Sequence, residues 1–425
     1  MRLQGMFLTY TLTNFSPTRR HFDIAHLCHR QRMWLLTTDG AQLVSFPQPP
    51  RKYAILSHVW RKTRPGSIGS PEQTFQDVME IQERCRSTGA DPRMFLSPKI
   101  KRCCAWAASH GFKHVWIDTC CINKDSSSEL SEAINSMFNW YSMATICYAY
   151  LQDVSIRYDP SASNSTFRRS KWFTRGWTLQ ELIAPRDVIF LSREWVPLTS
   201  KRAMPHLLQA ITGIDVDVLL YERSLFNIPV ARRMSWAARR QTSRIEDMAY
   251  CLMGLFKVNM PTIYGEGSGS FSRLQEEIMK RTSDHSLFVW GPSLDDLTRA
   301  VTDSRSEPDR MGSYPARHDR HYIQQSLFLA QSPSDFAGSP DIANLSLKAF
   351  MDTHRLEEAR VPRLTLTSHG VKAWLPIIRF PNSFEVALLP CQSNGATIGL
   401  VLRDQGESGP MALGKRIVSR AADFV

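Results

Sequence analysis

Short apolar runs alternate along the middle of the chain with stretches in which apolar residues return every three or four positions. The first pattern predicts buried strands, the second helices. Residues 53–58 (YAILSH), 114–118 (HVWID), 147–151 (CYAYL) and 188–191 (VIFL) read as strands. Helical zones fall at 75–86 and 97–110, at the stripe Leu130, Ile134, Met137, Phe138 and Tyr141, and at 172–183, which Pro185 closes. Ser126 and Glu129 have the spacing of a capping box, in which each side chain satisfies a backbone N–H at a helix start. Strands separated by helices pair in parallel, because only a crossover returns the chain in the same direction. The fold class is therefore α/β, a parallel sheet with helical elaboration.

From 200 to 281 the pattern is helical, with Thr242 or Ser243 as expected caps before Ile245, Met248, Ala249, Leu252 and Leu255. Tyr264-Gly265-Glu266-Gly267 interrupts it as a turn, Glu266 being a modest candidate for chemistry, and Phe271, Leu274 and Ile278 mark another helix. Residues 291–320 are rich in charge, Ser and Pro and read as a linker, with a domain boundary near Trp290. Beyond it, Leu364/Leu366, Val371/Ala373/Leu375, Phe384/Val386/Leu388 and Ile398/Leu400/Leu402 alternate with a period of two between Gly, Pro and Asn turns. Residues 321–425 thus read as a small C-terminal antiparallel β module. Residues 33–290 form the main domain, and 1–32 a leader, expected to be a disordered arm or a gene-model extension.

With 425 residues, 43% hydrophobic and 22% charged, the chain can build two or three packed cores. The charge of +12 is scattered, and the first 52 residues hold seven basic against two acidic residues, so no basic stripe points to nucleic acid. No apolar run reaches the roughly 18–20 residues of a membrane span, and the N-terminus lacks the layout of a secretory signal. Nine cysteines, an odd number including the adjacent pairs Cys103/Cys104 and Cys120/Cys121, fit reduced core thiols better than a disulfide scaffold. A cytoplasmic protein is expected.

Ligands of parallel α/β sheets bind beyond the carboxyl ends of the strands. The polar residues at those ends are Ser57 and His58, Asp118 and Thr119, Asp153, and the segment from Arg175 to Glu181. They are expected to converge on one cleft. Trp177 and Glu181 stand four apart, on one helix face, where an aromatic wall would desolvate the acid and raise its pKa. A carboxylate facing an oxocarbenium ion is a common means of breaking glycosidic bonds. Spacing alone better fits a Trp177 in the core, with Glu181 capping the helix or pairing with Arg175. His58 could bind phosphate or serve as acid or base, or be a structural hydrogen-bonder. Asp118 could read ribose hydroxyls, or form an N-cap or Asx turn. Cys120 and Cys121 fit core packing better than a thiolate nucleophile. No Cys or His spacing suits a metal site, and none is expected. Arg233, Arg239, Arg240 and Arg244 read as a solvated face or as ion-pair partners of Glu246 and Asp247.

As a set, several long motifs resemble the fungal heterokaryon incompatibility domain in order and spacing over 53–286. They are YAILSHVW, TFQDV, VWIDTCCIN, SSSELSEAINSMFNWY, CYAYLQDV, WFTRGWTLQELIAP, RMSWAARRQTSRIEDMAYCLMGLF and MPTIYGEG. The family-like start is near Met33, and residues 332–342 (SPSDFAGSPDI) look like family material following the domain. The resemblance implies a role in non-self recognition, in which this domain triggers cell death. It also implies a distant similarity to Toll/interleukin-1 receptor (TIR) domains, which have a flavodoxin-like sheet. Some of those cleave NAD, using a glutamate four residues after a Trp, so Glu181 is the implied catalytic residue. His58, Trp60, Asp118, Arg175 and Trp177 are the implied binding residues, NAD being a substrate and no cofactor expected. The alternative is a non-enzymatic assembly module, acting through self-association or a recognition-protein partner. Where the family usually has an acidic residue this chain has Asn123, on a loop expected at the surface.

Overall fold

The computed structural model describes residues 32–60, 72–157, 159–291, 329–356, 364–367, 370–373, 375–379, 385–404 and 410–419. The leader up to residue 31 and the linker beyond 291 lie outside them.

The described residues divide into two compact units, one of 32–224 with 240–263, the other of 225–239 with those from 264 onward. The division thus enters the chain earlier than the linker-like composition of 291–320 suggests, and residues 225–239 join the C-terminal unit.

The first unit is built on a seven-stranded sheet of β1 (Met33–Thr37), β2 (Leu43–Phe46), β3 (Ala54–His58), β4 (His114–Ile117), β5 (Ile146–Tyr150), β6 (Val188–Leu191) and β7 (Pro197–Ser200). All four strands expected from the apolar runs form, and their order in space is β2-β1-β4-β3-β5-β6-β7. β3 pairs in parallel with β4 and β5, and β5 with β6, whereas β1 and β7 join antiparallel at the two sides. Numbered among themselves, the four parallel strands run 2-1-3-4, as in flavodoxin-like doubly wound sheets. The order reverses between β3 and β5. Every residue of β3 is buried, as befits a central parallel strand with both faces covered.

Local chemistry explains the helices between them. α1 (Phe75–Thr88) opens on a capping box of Thr74 and Asp77 and ends at Gly89 in the left-handed region. α2 (Pro98–Ser109) starts with Ser97 as cap and Pro in the first turn. α3 (Ser127–Met143) is capped by the Ser126 hydroxyl, which accepts from the Glu129 N–H. The reciprocal half of the expected box is not made: the Glu129 carboxylate instead accepts from the Asn123 side chain at 3.3 Å.

Residues 172–183 do not form one helix. Lys171–Thr174 is a 3-10 turn, and α4 (Thr178–Ile183) follows only after Gly176. The break is held by Gly176, whose N–H donates to the Gln241 carbonyl at 2.8 Å. A Cβ there would lie 2.5 Å from the Thr242 side chain, so the close approach requires glycine. The helix expected after Thr242 is likewise split, into Asp247–Tyr250 and Met253–Phe256, with no side-chain cap on either. The Thr242 hydroxyl donates to the Arg244 carbonyl instead.

In the second unit the four period-two segments form antiparallel strands as expected, β9 (Leu364–Thr367), β10 (Gly370–Ala373), β12 (Glu385–Ser393) and β13 (Ala396–Asp404), and β8 (Ile342–Asn344), β11 (Ile377–Arg379) and β14 (Pro410–Ser419), which no such pattern marked, join them. β9 and β10 form a hairpin, while β11 to β14 form a sheet that β8 joins through β12. Phe350, Ile378, Val386 and Leu388 make a small core there. Among the described residues no helix is long and apolar enough to cross a membrane.

Candidate functional site

The strand ends gather the expected residues from three segments. β3 ends in Ser57 and His58, Asp118 directly follows β4, and α4 carries Glu181. These lie at the carboxyl edge of the sheet, beside the reversal of strand order where ligands of such sheets bind.

Glu181 is 3% exposed. The Ser57 hydroxyl donates to its carboxyl, and the Trp172 indole N–H donates to Ser57 Oγ at 2.7 Å. The aromatic that reaches the acid is therefore Trp172, through Ser57, and not Trp177, which sits half-buried at the N-terminal boundary of α4. Trp172 belongs to the same motif and is fully buried. Its role has no signal in spacing, because the 3-10 turn changes the phase between it and the helix. Burial, and then the charge of Asp118, push the Glu181 carboxyl up to about 8; the Ser57 and Tyr141 hydroxyls and the Arg175 charge pull the other way. Desolvation wins because the neutral form alone avoids an uncompensated buried charge. Ser57→Ala removes one opposing bond and is expected to move this titration higher still, which carboxyl-carbon NMR would follow.

The expected cleft is a closed cluster at this point. Glu181 is covered by Ser57 and lines no part of the cavity among Arg32, Trp34, Asn123 and Trp140.

His58 and Asp118 form the outer half. His58 Nε2 lies 3.4 Å from Asp118 Oδ1, within ion-pair reach but without hydrogen-bond alignment, and both ring nitrogens of His58 lack a partner. Burial and the charges of Lys99 and Lys124 hold the imidazole well below its usual range, hence neutral. Asp118 accepts from the Trp60 indole N–H at 2.6 Å. Trp60 is 43% exposed, and Lys124 Nζ stands 3.8 Å over its ring. Burial raises the Asp118 pKa against the pull of Lys124 and Trp60.

Arg175 precedes α4. Its guanidinium donates to the Ser243 hydroxyl at 3.2 Å, and its carbonyl accepts from Arg240 at 2.9 Å. Arg240 also donates to Thr178 Oγ1 at 3.0 Å. That residue, expected on a solvated face or in ion pairs, holds the first turn of α4. At the other end of α4 the buried Lys201 donates to the Leu182 and Pro185 carbonyls, and burial draws its pKa down to about 7. The helix bearing Glu181 is thus tied at both ends by long basic side chains, of which only Arg240 stood out in the sequence, and for a different role. The cysteines pack as thiols: Cys103, Cys104, Cys120, Cys121 and Cys147 are all buried. Among the described residues no cluster of His, Cys, Asp or Glu could hold a metal ion.

Residues 53–167, which supply β3 to β5, Asp118 and Ser57, match the family model described as heterokaryon incompatibility protein (HET). The chain carries a heterokaryon incompatibility domain. Over 237 residues, 55% of the chain, it is 43% identical to the vegetative incompatibility protein HET-E-1 of Podospora anserina. The chain spans only 16% of the length of that relative. Residues 269–394, in the second unit, match a domain of unknown function (DUF8212). No solved structure matches the chain.

Proposed function

We propose that this protein acts in fungal heterokaryon incompatibility as a cytoplasmic, TIR-like effector that triggers cell death on non-self recognition. We further propose that its chemistry is hydrolysis of the nicotinamide–ribose bond of NAD. The observation carrying the chemistry is the buried Glu181 carboxyl, beside the strand-order reversal, with its pKa displaced to about 8. The incompatibility role is supported by the heterokaryon incompatibility match and by the named relative.

In this reaction the bond between ribose C1′ and the nicotinamide nitrogen breaks, and nicotinamide leaves neutral with the bonding pair. Water adds to C1′ and releases a proton. The ribosyl cation needs a facing carboxylate. In the closed arrangement Glu181 is protonated at pH 7, so the positive charge of the bound nicotinamide ring has to draw its pKa down. His58, Asp118 and Arg175 would hold ribose and phosphate, with Trp60 and Trp177 as walls. Purified protein, also when forcibly clustered, is expected to turn over NAD, and Glu181→Ala to reduce the rate about 10²- to 10³-fold. Absence of turnover in the clustered wild type refutes this chemistry.

The sealed state of Glu181 favours a second reading, an assembly module that self-associates or recruits a recognition partner and needs no catalysis. It requires that Glu181→Ala still kill a fungal host on overexpression, at unchanged NAD content, while surface substitutions abolish death.

A further inference from the structure

Lys124 is held as a bound cation would be. It lies half-buried in the loop after β4, and its ammonium stands 3.8 Å over the ring of Trp60 and donates to the Thr119 carbonyl at 3.4 Å. The indole N–H of the same ring donates to Asp118 at 2.6 Å. The ring is thus fixed by its edge and carries a positive charge on its face. That charge also acts on Asp118, drawing the carboxyl toward its ionised form. An aromatic face, a carbonyl and a carboxylate around one positive charge are the groups that recognise an organic cation.

The corner is also within reach of solvent. Trp60 is exposed, and the Asp118 side chain keeps 16% of its surface, whereas the His58 side chain beside it keeps none. Every residue of β3, which ends two positions before Trp60, is buried, so the open indole is not part of that core. Its tie to Lys124 is a single ammonium on a flexible stem, and such a stem can swing away without any backbone movement.

We propose that the corner of Trp60, Asp118 and Thr119 is a binding site for a flat organic cation, an N-substituted pyridinium ring, and that Lys124 is the chain's own placeholder in it. The cation site follows from the geometry; its assignment to a pyridinium rests on the NAD hydrolysis proposed above. A pyridinium spreads its charge over a plane that lies against an indole, and so adds stacking to the cation–π attraction that an ammonium has. It also brings its own charge to Asp118, so that exchanging one cation for the other leaves no uncompensated carboxylate. A neutral ring of the same size stacks but does not replace the charge. The corner therefore selects the oxidised, cationic nicotinamide ring over the reduced, neutral one, and Lys124 competes with it for the same face.

The test uses the full chain with two probes, the cation 1-methylnicotinamide and its neutral counterpart nicotinamide, read by calorimetry and by quenching of tryptophan fluorescence. The cation is expected to bind roughly tenfold more tightly than the neutral ring. Lys124→Met keeps the stem and removes the charge, and is expected to tighten the cation by roughly tenfold and the neutral ring far less. Lys124→Arg keeps a charge over the indole and is expected to bind the cation no more tightly than the native chain. Trp60→Leu is expected to abolish the preference for the cation. Equal binding of the two probes overturns the proposal, as does a Lys124→Met chain that binds the cation no more tightly or not at all at millimolar concentration. A preference that survives Trp60→Leu overturns it too. Absence of NAD turnover in a chain that shows the expected pattern refutes only the chemistry at Glu181.

Discussion

Replacing Glu181 by glutamine is expected to remove a fall in stability that the native chain shows as pH rises from about 4.5 to about 8. The two limits are the ordinary pKa of the side chain and its value in the folded protein. Below the lower limit the carboxyl is neutral whether the chain is folded or not, so burial carries no penalty. Between the limits the unfolded chain releases the proton while the folded chain retains it, so stability declines with pH. Above the upper limit both forms are ionised and the loss is complete. At ~1.4 kcal/mol per pH unit, the window corresponds to roughly 3–5 kcal/mol. Two other buried groups act with opposite sign. His58 stays neutral in the fold while the unfolded chain charges below its ordinary 6.5, and Lys201 titrates near 7 against an ordinary 10.5. Both make the fold more stable as pH rises through their windows, so the raw profile of the native chain is a composite. The difference between wild type and Glu181→Gln in denaturant midpoints from pH 4 to 9 isolates the carboxyl. Parallel profiles for the two proteins would mean that Glu181 is not held neutral.

The same titration bears on control. A carboxyl that is neutral and covered is a poor partner for a developing cation, so the closed cluster is a resting arrangement under the proposed chemistry. Opening the cover of Ser57 and Trp172, or placing a cationic ring next to the acid, ionises it. Under the proposed function, a group that stays off until the site is rearranged suits an effector that kills its own cell.

Much of this was legible in the sequence, and the omissions have physical causes. The four parallel strands were readable because central strands of a parallel sheet are apolar on both faces, and runs such as AILSH and VIFL are too short for a helix, the latter also rich in β-branched and aromatic residues. The gathering of His58, Asp118 and Glu181 followed from strand ends alone. What periodicity could not resolve was the break at Gly176: a 3-10 turn before a helix rotates the residues out of register, so Trp177 took in the pattern the place that Trp172 holds in space. Arg240 was read as solvated or ion-paired and Lys201 drew no reading, because long cationic side chains read as solvated, and only a buried helix terminus explains why they turn inward. The Ser126–Glu129 box was half right, since sequence supplies the spacing but not the competing donor, Asn123. The strands at 33–46 pair as an antiparallel hairpin against the sheet, with no signal distinguishing that from a loop.

Gly254→Ala is expected to be among the most damaging single-methyl changes in this chain. The residue lies in Met253–Phe256, and a Cβ there would fall 2.2 Å from Phe138 Cβ and 2.4 Å from Phe138 Cγ. No rotamer relieves this, because the Phe138 Cβ is fixed by the backbone of α3; the helix itself must move. Overpacking of this kind costs about 3 kcal/mol or more, a fall of roughly 6–12 °C in Tm for a domain of this size. The displaced helix carries Tyr141 one turn after Phe138, where its hydroxyl donates to the Leu56 carbonyl at 3.0 Å and pulls on the Glu181 titration. The expected result is therefore a loss of effector activity beyond the loss of folded protein, with the Glu181 titration displaced in what remains. Phe138→Ala in the Gly254→Ala background is expected to recover part of the stability, since it removes Cγ and Cδ2, two of the three Phe138 atoms within 2.6 Å of the added Cβ, and leaves only the Cβ contact. A double-mutant cycle showing strict additivity, with no coupling between the two sites, would mean that the helices do not touch as described.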